Sequence, residues 1–143
     1  MLKVASYNIR KGIGTDRLRR PERILDVLNE VGADIVALQE ADRRFGNRIS
    51  ALPLDLIAAH TDYVPVPFDT RPDSIGHHGN AILVRRAIEI SGHDIIHLPM
   101  IEPRGAVVSD LLWKNKALRI VGMHLDLSGL RRRQQVRSVL SQI

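Results

Sequence analysis

Leu2–Ile9 reads LKVASYNI and Asp34–Glu40 reads DIVALQE. Each is an apolar or alternating run of strand length that gives way to a polar residue, Asn8 in the first and Glu40 in the second. Pro21, between them, suits the first position of a helix. Ile24, Leu25, Leu28 and Val31 put one apolar stripe on that helix, and Gly32 ends it. Strand, helix and strand in this order make a compact unit that brings both strand ends to one edge of a sheet, and so an α/β fold. An amide and a carboxylate released at that edge form a corner for a hard cation, because magnesium takes oxygen ligands and keeps several waters.

Lys11–Gly14 reads as a flexible exit loop after the first strand. Leu52–His60 is a second helix candidate, and Tyr63–Phe68 is a strand interrupted by prolines, hence an edge. Residues 70–79 form a polar loop. Strand patterns follow at Asn80–Arg85, Glu89–His97, Gly105–Trp113 and Ala117–His124, with Lys114–Lys116 as a hairpin turn between the last two. Ser128 is a good N-cap for a closing helix, on which Val136, Val139, Leu140 and Ile143 fall at the spacing of a buried stripe. The stripe runs to the last residue without a stop signal, so residues 1–143 read as one incomplete domain.

The 143 residues are 44% hydrophobic and 26% charged, as expected of a protein with a packed core. No apolar run approaches the ~18 residues of a membrane span. The chain enters a strand at once, without the pattern of a secretory leader. The absence of cysteine excludes disulfides and thiolate metal sites. A cytoplasmic location fits these features. The net charge of +5 favours polyanionic partners, although on charge alone a solvated basic surface is the better reading. One tryptophan, two tyrosines and two phenylalanines are too few for a broad base-stacking surface. No G-x-G-x-x-G follows the first strand, which speaks against a dinucleotide-binding domain.

The polar residues at strand ends are Asn8, Glu40, Asn80, Arg104 and His124, with Asp126 just behind. Glu40 suits a hard-cation ligand, and Asn8 could orient that cation or hold a phosphate oxygen. Arg104 could clamp phosphate by paired charge-assisted bonds. His124 could donate to phosphate or move a proton, with Asp126 two residues on to orient it. Each also has a structural reading: Asn8 in a turn, Glu40 paired with Arg43 or Arg44, Arg104 at a solvated strand entrance, His124 as a core histidine. His77 and His78 lie in a loop that could approach substrate. His60, His93 and His97 have no ligand-like spacing, and Arg131–Arg133 read as a solvated helix face.

ASYNIR (Ala5–Arg10), DIVALQEAD (Asp34–Asp42), GNAILVRR (Gly79–Arg86), EPRGAVV (Glu102–Val108) and GMHLD (Gly122–Asp126) together resemble the endonuclease/exonuclease/phosphatase superfamily. The position of His124 is closest to its deoxyribonuclease-like and neutral sphingomyelinase-like branches. The resemblance implies a four-layer α/β sandwich, two mixed sheets flanked by helices, and a magnesium-dependent phosphodiesterase or phosphatase, with manganese as a substitute cation. It makes Glu40 the principal metal ligand and places Asn8 on metal-bound water or phosphate. Arg104 would then hold the scissile phosphate, His124 would contact phosphate or the leaving oxygen, and Asn80 would have a mainly structural role. The expected substrate is a phosphate ester, a nucleic acid or a phospholipid head group.

Members of the superfamily also carry a Gly-Asp-Phe-Asn-like and a Ser-Asp-His-like motif, and neither occurs here. The reading is therefore an N-terminal part, inactive alone and prone to self-association through an exposed sheet face. The alternative is a non-catalytic phosphate- or nucleic-acid-binding module.

Overall fold

The computed structural model describes residues 1–41, 52–68, 75–77, 79–97, 105–124 and 129–143. Strand β1 (Val4–Asn8) leads through helix α1 (Pro21–Val31) to strand β2 (Ile35–Gln39), which lies parallel to β1 with Asn8 opposite Gln39. Helix α2 (Leu54–His60), strand β3 (Tyr63–Pro65) and strand β4 (Ala81–Arg85) follow, and both β2 and β3 pair antiparallel with β4. The four strands form one sheet in the order β1-β2-β4-β3. Strands β5 (Glu89–His97), β6 (Gly105–Trp113) and β7 (Lys116–Met123) form a second, three-stranded antiparallel sheet, and helix α3 (Gly129–Gln142) follows.

Three apolar clusters stack these elements into four layers. Ile24, Leu25 and Leu28 of α1 and Ile57 of α2 pack on Val36, Leu38, Ala81 and Leu83, on one face of the first sheet. The opposite face presents Ile35, Ile82 and Val84 to Val107 and Leu111 of β6. Val139 of α3 packs on Ile96, Ala106 and Val108, the far side of the second sheet. Alternate residues of β2 and β4 thus enter different cores, as the two-residue period of a strand requires. A Cβ on Gly122 would crowd Val107 Cγ2, its cross-strand neighbour in the same sheet, at 3.0 Å, and would reach Ile82 of the facing sheet at 3.5 Å, an ordinary contact. The expected α/β sandwich of two facing sheets flanked by helices is observed. Of the two sheets expected to be mixed, the first is mixed and the second, among the described residues, is antiparallel throughout.

The local signals act largely as anticipated. Pro21 opens α1, and Gly32 closes it in the left-handed conformation (φ 64°), its N–H donating to the Leu28 carbonyl. β3 is an edge strand, as its prolines require. Lys114 and Asn115, both with positive φ, make the two-residue hairpin between β6 and β7.

Two apolar stripes are displaced. Val31 is 39% exposed, at the end of α1 where the Lys3 ammonium donates to its carbonyl. On α3 the buried face carries Gln135 and Val139, while Val136, Leu140 and Ile143 are exposed. The helix turns Gln135 inward where a wholly apolar stripe was expected, and of that stripe Val139 alone is buried, against the second sheet. The proposed Ser128 cap lies outside the described residues. Among the described residues no helix is long and apolar enough to cross a membrane.

Candidate metal and phosphate site

Parallel pairing between β1 and β2 continues beyond the strands. The Ile9 N–H donates to the Gln39 carbonyl at 3.0 Å, and the Lys11 N–H donates to the Glu40 carbonyl at 2.8 Å. These two bonds hold the strand exits together and set the Asn8 and Glu40 side chains side by side. The Asn8 amide Nδ2 donates a long hydrogen bond, 3.4 Å, to Glu40 Oε1. Asn8 Oδ1 in turn accepts from the Arg10 N–H at 3.0 Å, the local turn that asparagine makes readily. The turn reading of Asn8 is thus observed, and the same side chain also meets the Glu40 carboxylate.

The backbone around this corner is left-handed. Arg10, Lys11, Gly12 and Glu40 all have positive φ, at 49°, 57°, 80° and 53°. Such conformations in non-glycine residues cost on the order of 1 kcal/mol or more each and persist only where surrounding contacts enforce them. Here the Arg19 guanidinium donates from Nε to the Lys11 carbonyl, and the Arg20 N–H donates to the Gly12 carbonyl. Lys11–Gly12 is thus a pinned turn where the sequence suggested a flexible loop. It brings the Lys11 ammonium to 3.5 Å from Glu40 Oε2. The anticipated partners of Glu40, Arg43 and Arg44, lie outside the described residues.

From the other side, the Gly79 carbonyl accepts the Ala41 N–H at 2.9 Å. Gly79 has φ 82°, and a Cβ on it would meet Glu40 Cα at 3.4 Å, so glycine there lets the 79–80 segment lie against the Glu40 backbone. Asn80 follows, 2% exposed, and its backbone exchanges two hydrogen bonds with that of His77. His77 is half-buried beside it.

Asn8 projects to the same face of β1 as Val4 and Ser6, by strand alternation. Val4, Ser6, Ala37 and Gln39 line one wall of an open groove of about 400 Å³, with Arg119 and Gly122 of β7 opposite. Ser6 and Gln39 hydrogen-bond across the groove floor at 3.2 Å. The Asn8–Glu40 corner therefore stands at the end of a groove between the two sheets. His124 is the residue after β7 and is half-buried. Arg104 and Asp126 lie outside the described residues, as does His78. His93 packs edge-to-face against Phe68 at 5.9 Å, which suits its structural reading.

The segment that leaves the corner is strongly basic, with Arg10, Arg17, Arg19 and Arg20 exposed. Its one acidic side chain before α1, Asp16, is bound by Arg23 through both carboxylate oxygens at 2.8 and 3.1 Å. The Arg23 hydrogen bonds, helped by the Leu18 N–H, hold the Asp16 carboxyl below the usual carboxylate range. Arg19 donates to the Lys11 carbonyl, and Arg10, Arg17 and Arg20 are exposed.

Among the described residues no group of three or more His, Asp or Glu side chains converges as a metal cage. The groups at the corner are instead one carboxylate, with a side chain 28% exposed, and one amide, whose Nδ2 faces that carboxylate while its Oδ1 accepts from the Arg10 N–H and keeps a second lone pair. Sparse, hard and open to water, this set fits magnesium or manganese and does not fit zinc or another metal that seeks softer, closed coordination.

Residues 5–140 match the Endonuclease/Exonuclease/phosphatase family, and the chain belongs to it. Among solved structures it is similar to D. rerio TDP2 complexed with single strand DNA product, at 21% identity and a TM-score of 0.74, over 99% of this chain and 54% of that one. It is similar to an endonuclease/exonuclease/phosphatase from Beutenbergia cavernae DSM 12333, at 19% identity and a TM-score of 0.73, over 99% of this chain and 44% of that one. A third likeness is to the inositol polyphosphate 5-phosphatase domain of SPsynaptojanin, in complex with inositol (1,4)-bisphosphate and calcium ion. There the identity is 20% and the TM-score 0.54, over 99% of this chain and 46% of that one. The chain spans about half the length of these structures, and at such identities the likeness is one of fold. No curated protein matches it.

Proposed function

We propose that the chain carries the cation-binding part of a magnesium-dependent phosphoesterase, in which Glu40 and Asn8 hold the divalent cation. The observation that carries this reading is the 3.4 Å contact between the two side chains at adjoining strand exits, beside a groove between the sheets. When bound, the cation would supply charge for a phosphate oxygen and lower the pKa of a coordinated water. Glu40 contributes the anionic ligand, and Asn8 fixes its orientation through Nδ2 while presenting Oδ1. The Gly79 carbonyl, accepting the Ala41 N–H, holds the neighbouring segment beside Glu40. Arg104 and His124 are assigned to the phosphate on the strength of their motifs, Arg104 to non-bridging oxygens and His124 to a phosphate or leaving oxygen.

Membership of the family and the exposed arginines after Asn8 support a polyanionic substrate, a nucleic acid or an anionic phospholipid head group. Steering by such a segment weakens as salt rises. Full turnover is assigned to the pair acting with a general base that these motifs do not supply. Hydrolysis of bis(4-nitrophenyl) phosphate by the purified chain in magnesium is therefore expected to stay near background. Robust magnesium-dependent hydrolysis lost in Glu40→Ala would retain the metal site and overturn the need for further groups. Oligonucleotide binding that persists in EDTA and in Glu40→Ala would favour the non-catalytic binding module instead. Self-association is expected as well, since among the described residues β1 pairs only with β2 and β7 only with β6. Sedimentation velocity over a concentration series reads it directly.

A further inference from the structure

We propose that Lys11 is a built-in counter-ion of Glu40, and that a divalent cation binds this corner by exchange with the Lys11 ammonium. The inference rests on the reading of Glu40 as the metal ligand.

Lys11 grips Glu40 twice. Its N–H donates to the Glu40 carbonyl at 2.8 Å, and its ammonium lies 3.5 Å from Oε2. Asn8 Nδ2 faces the other carboxylate oxygen, Oε1, at 3.4 Å. The carboxylate is thus met by an N–H donor on each oxygen, one of them fully charged. A dication approaching Oε2 meets a like charge at contact distance, where salt screens little. The ammonium must withdraw for the cation to be seated.

The geometry of Lys11 is enforced. Its φ of 57° is a left-handed conformation that a lysine does not favour, and glycine would adopt it at lower cost. The Arg19 bond to its carbonyl and the Glu40 bond to its N–H pin the main chain, so the root of the side chain stays beside the carboxylate. The four-carbon stem is mobile, and its compact charge can leave without moving the backbone. A fixed root with a mobile charge is what an exchange needs. With the carboxylate and lysine side chains 28% and 32% exposed, the ammonium competes without sealing the site.

The exchange makes a directional claim that a purely structural role does not. Removing a merely structural lysine beside a metal ligand weakens cation binding, whereas removing a competitor strengthens it. Manganese titrated into the purified chain and followed by the EPR signal of the free ion gives the dissociation constant directly. Lys11→Met is expected to tighten binding about two- to tenfold, the range set by a partly exposed ion pair. Lys11→Gly, which suits the local φ, is expected to tighten it similarly and guards against a folding defect in the methionine variant. Lys11→Arg, retaining the charge, should stay near wild type. Unchanged or weaker binding in both Lys11→Met and Lys11→Gly, with binding abolished in Glu40→Gln, would overturn the exchange while leaving the metal site in place. Binding unaffected by Glu40→Gln would overturn the site and the exchange together.

Discussion

The two sheets are built by different means and serve different ends. The β1-β2-β4-β3 sheet is short-stranded, includes a parallel pair, and is packed on both faces where β2 and β4 lie. The β5-β6-β7 sheet is an antiparallel meander of longer strands. Parallel neighbours must be joined by a crossover, so their equivalent ends lie on the same edge, whereas hairpins send neighbouring ends to opposite edges. The amide of Asn8 and the carboxylate of Glu40 meet because β1 and β2 end together. No equivalent pair of functional side chains meets at the β6–β7 turn, where Lys114 instead lies over the Trp113 ring at 4.8 Å. On the proposed reading the first sheet positions the cation ligands, while the second packs on its other face.

The sharpest way to break this contrast is to empty the first sheet. Leu83 is fully buried in β4, and Leu83→Ala is expected to cost about 2–5 kcal/mol in urea unfolding. Leu118→Ala, on a partly exposed position of β7, should cost well under half of that. Equal losses would remove the distinction between the sheets. Gly79→Ala tests the support behind Glu40. With φ at 82° and the Glu40 backbone 3.4 Å from the added Cβ, it should cost about 1–2 kcal/mol and weaken manganese binding as Glu40 is displaced.

A smaller effect is expected at Tyr63, whose hydroxyl donates to the Ala33 carbonyl and ties β3 to the turn before β2. Burial pushes the Tyr63 phenol above the ordinary 10.0, although the nearby Arg85 pulls the other way. The folded protein therefore favours the neutral phenol. Its contribution is complete below pH 10 and is lost as pH rises through the folded-state value. Tyr63→Phe should cost about 1 kcal/mol at neutral pH and flatten the alkaline fall in stability. A fall of the same steepness in the variant would show that another group drives it.

The smallest effect belongs to the second sheet. Asp110 accepts from Arg119 at 2.7 Å, and this bond holds its carboxyl below the ordinary 3.8. What the pair contributes is present above pH 3.8 and disappears as pH falls through the lowered value. The Asp110 side chain is 40% exposed and well screened, so Asp110→Asn should leave the neutral-pH denaturation midpoint almost unmoved and slightly soften the acid limb.

Much of the first sheet was legible because its signals are local. Apolar runs ending at Asn8 and Glu40, Pro21 and Gly32 bounding α1, and the proline-broken β3 each follow from short-range chemistry. The pairing of Asn8 with Glu40 could be anticipated once both were placed at ends of parallel strands. The role of Lys11 could not. Lys-Gly-Ile-Gly reads as a loop, and only the contacts from Arg19, Arg20 and Glu40 make it a fixed left-handed turn. Helix α3 was misphased for a similar reason. Val136, Leu140 and Ile143 form a good apolar stripe by spacing, but they are exposed while Gln135 and Val139 are buried, Val139 against the second sheet. Spacing says which side chains share a face and leaves open which face finds a partner. The matches that placed Arg104 and His124 near phosphate rest on motifs, and of these His124 alone falls among the described residues.

Paramagnetic broadening by manganese of amide signals in a ¹H–¹⁵N spectrum tests the central claim most directly. Substoichiometric manganese should broaden the signals of Asn8, Lys11, Glu40, Ala41 and Gly79 first and leave Lys114–Lys116 sharp, and the pattern should vanish in Glu40→Gln. Broadening centred elsewhere, or unchanged in Glu40→Gln, would contradict the assignment of the cation to the joined ends of β1 and β2.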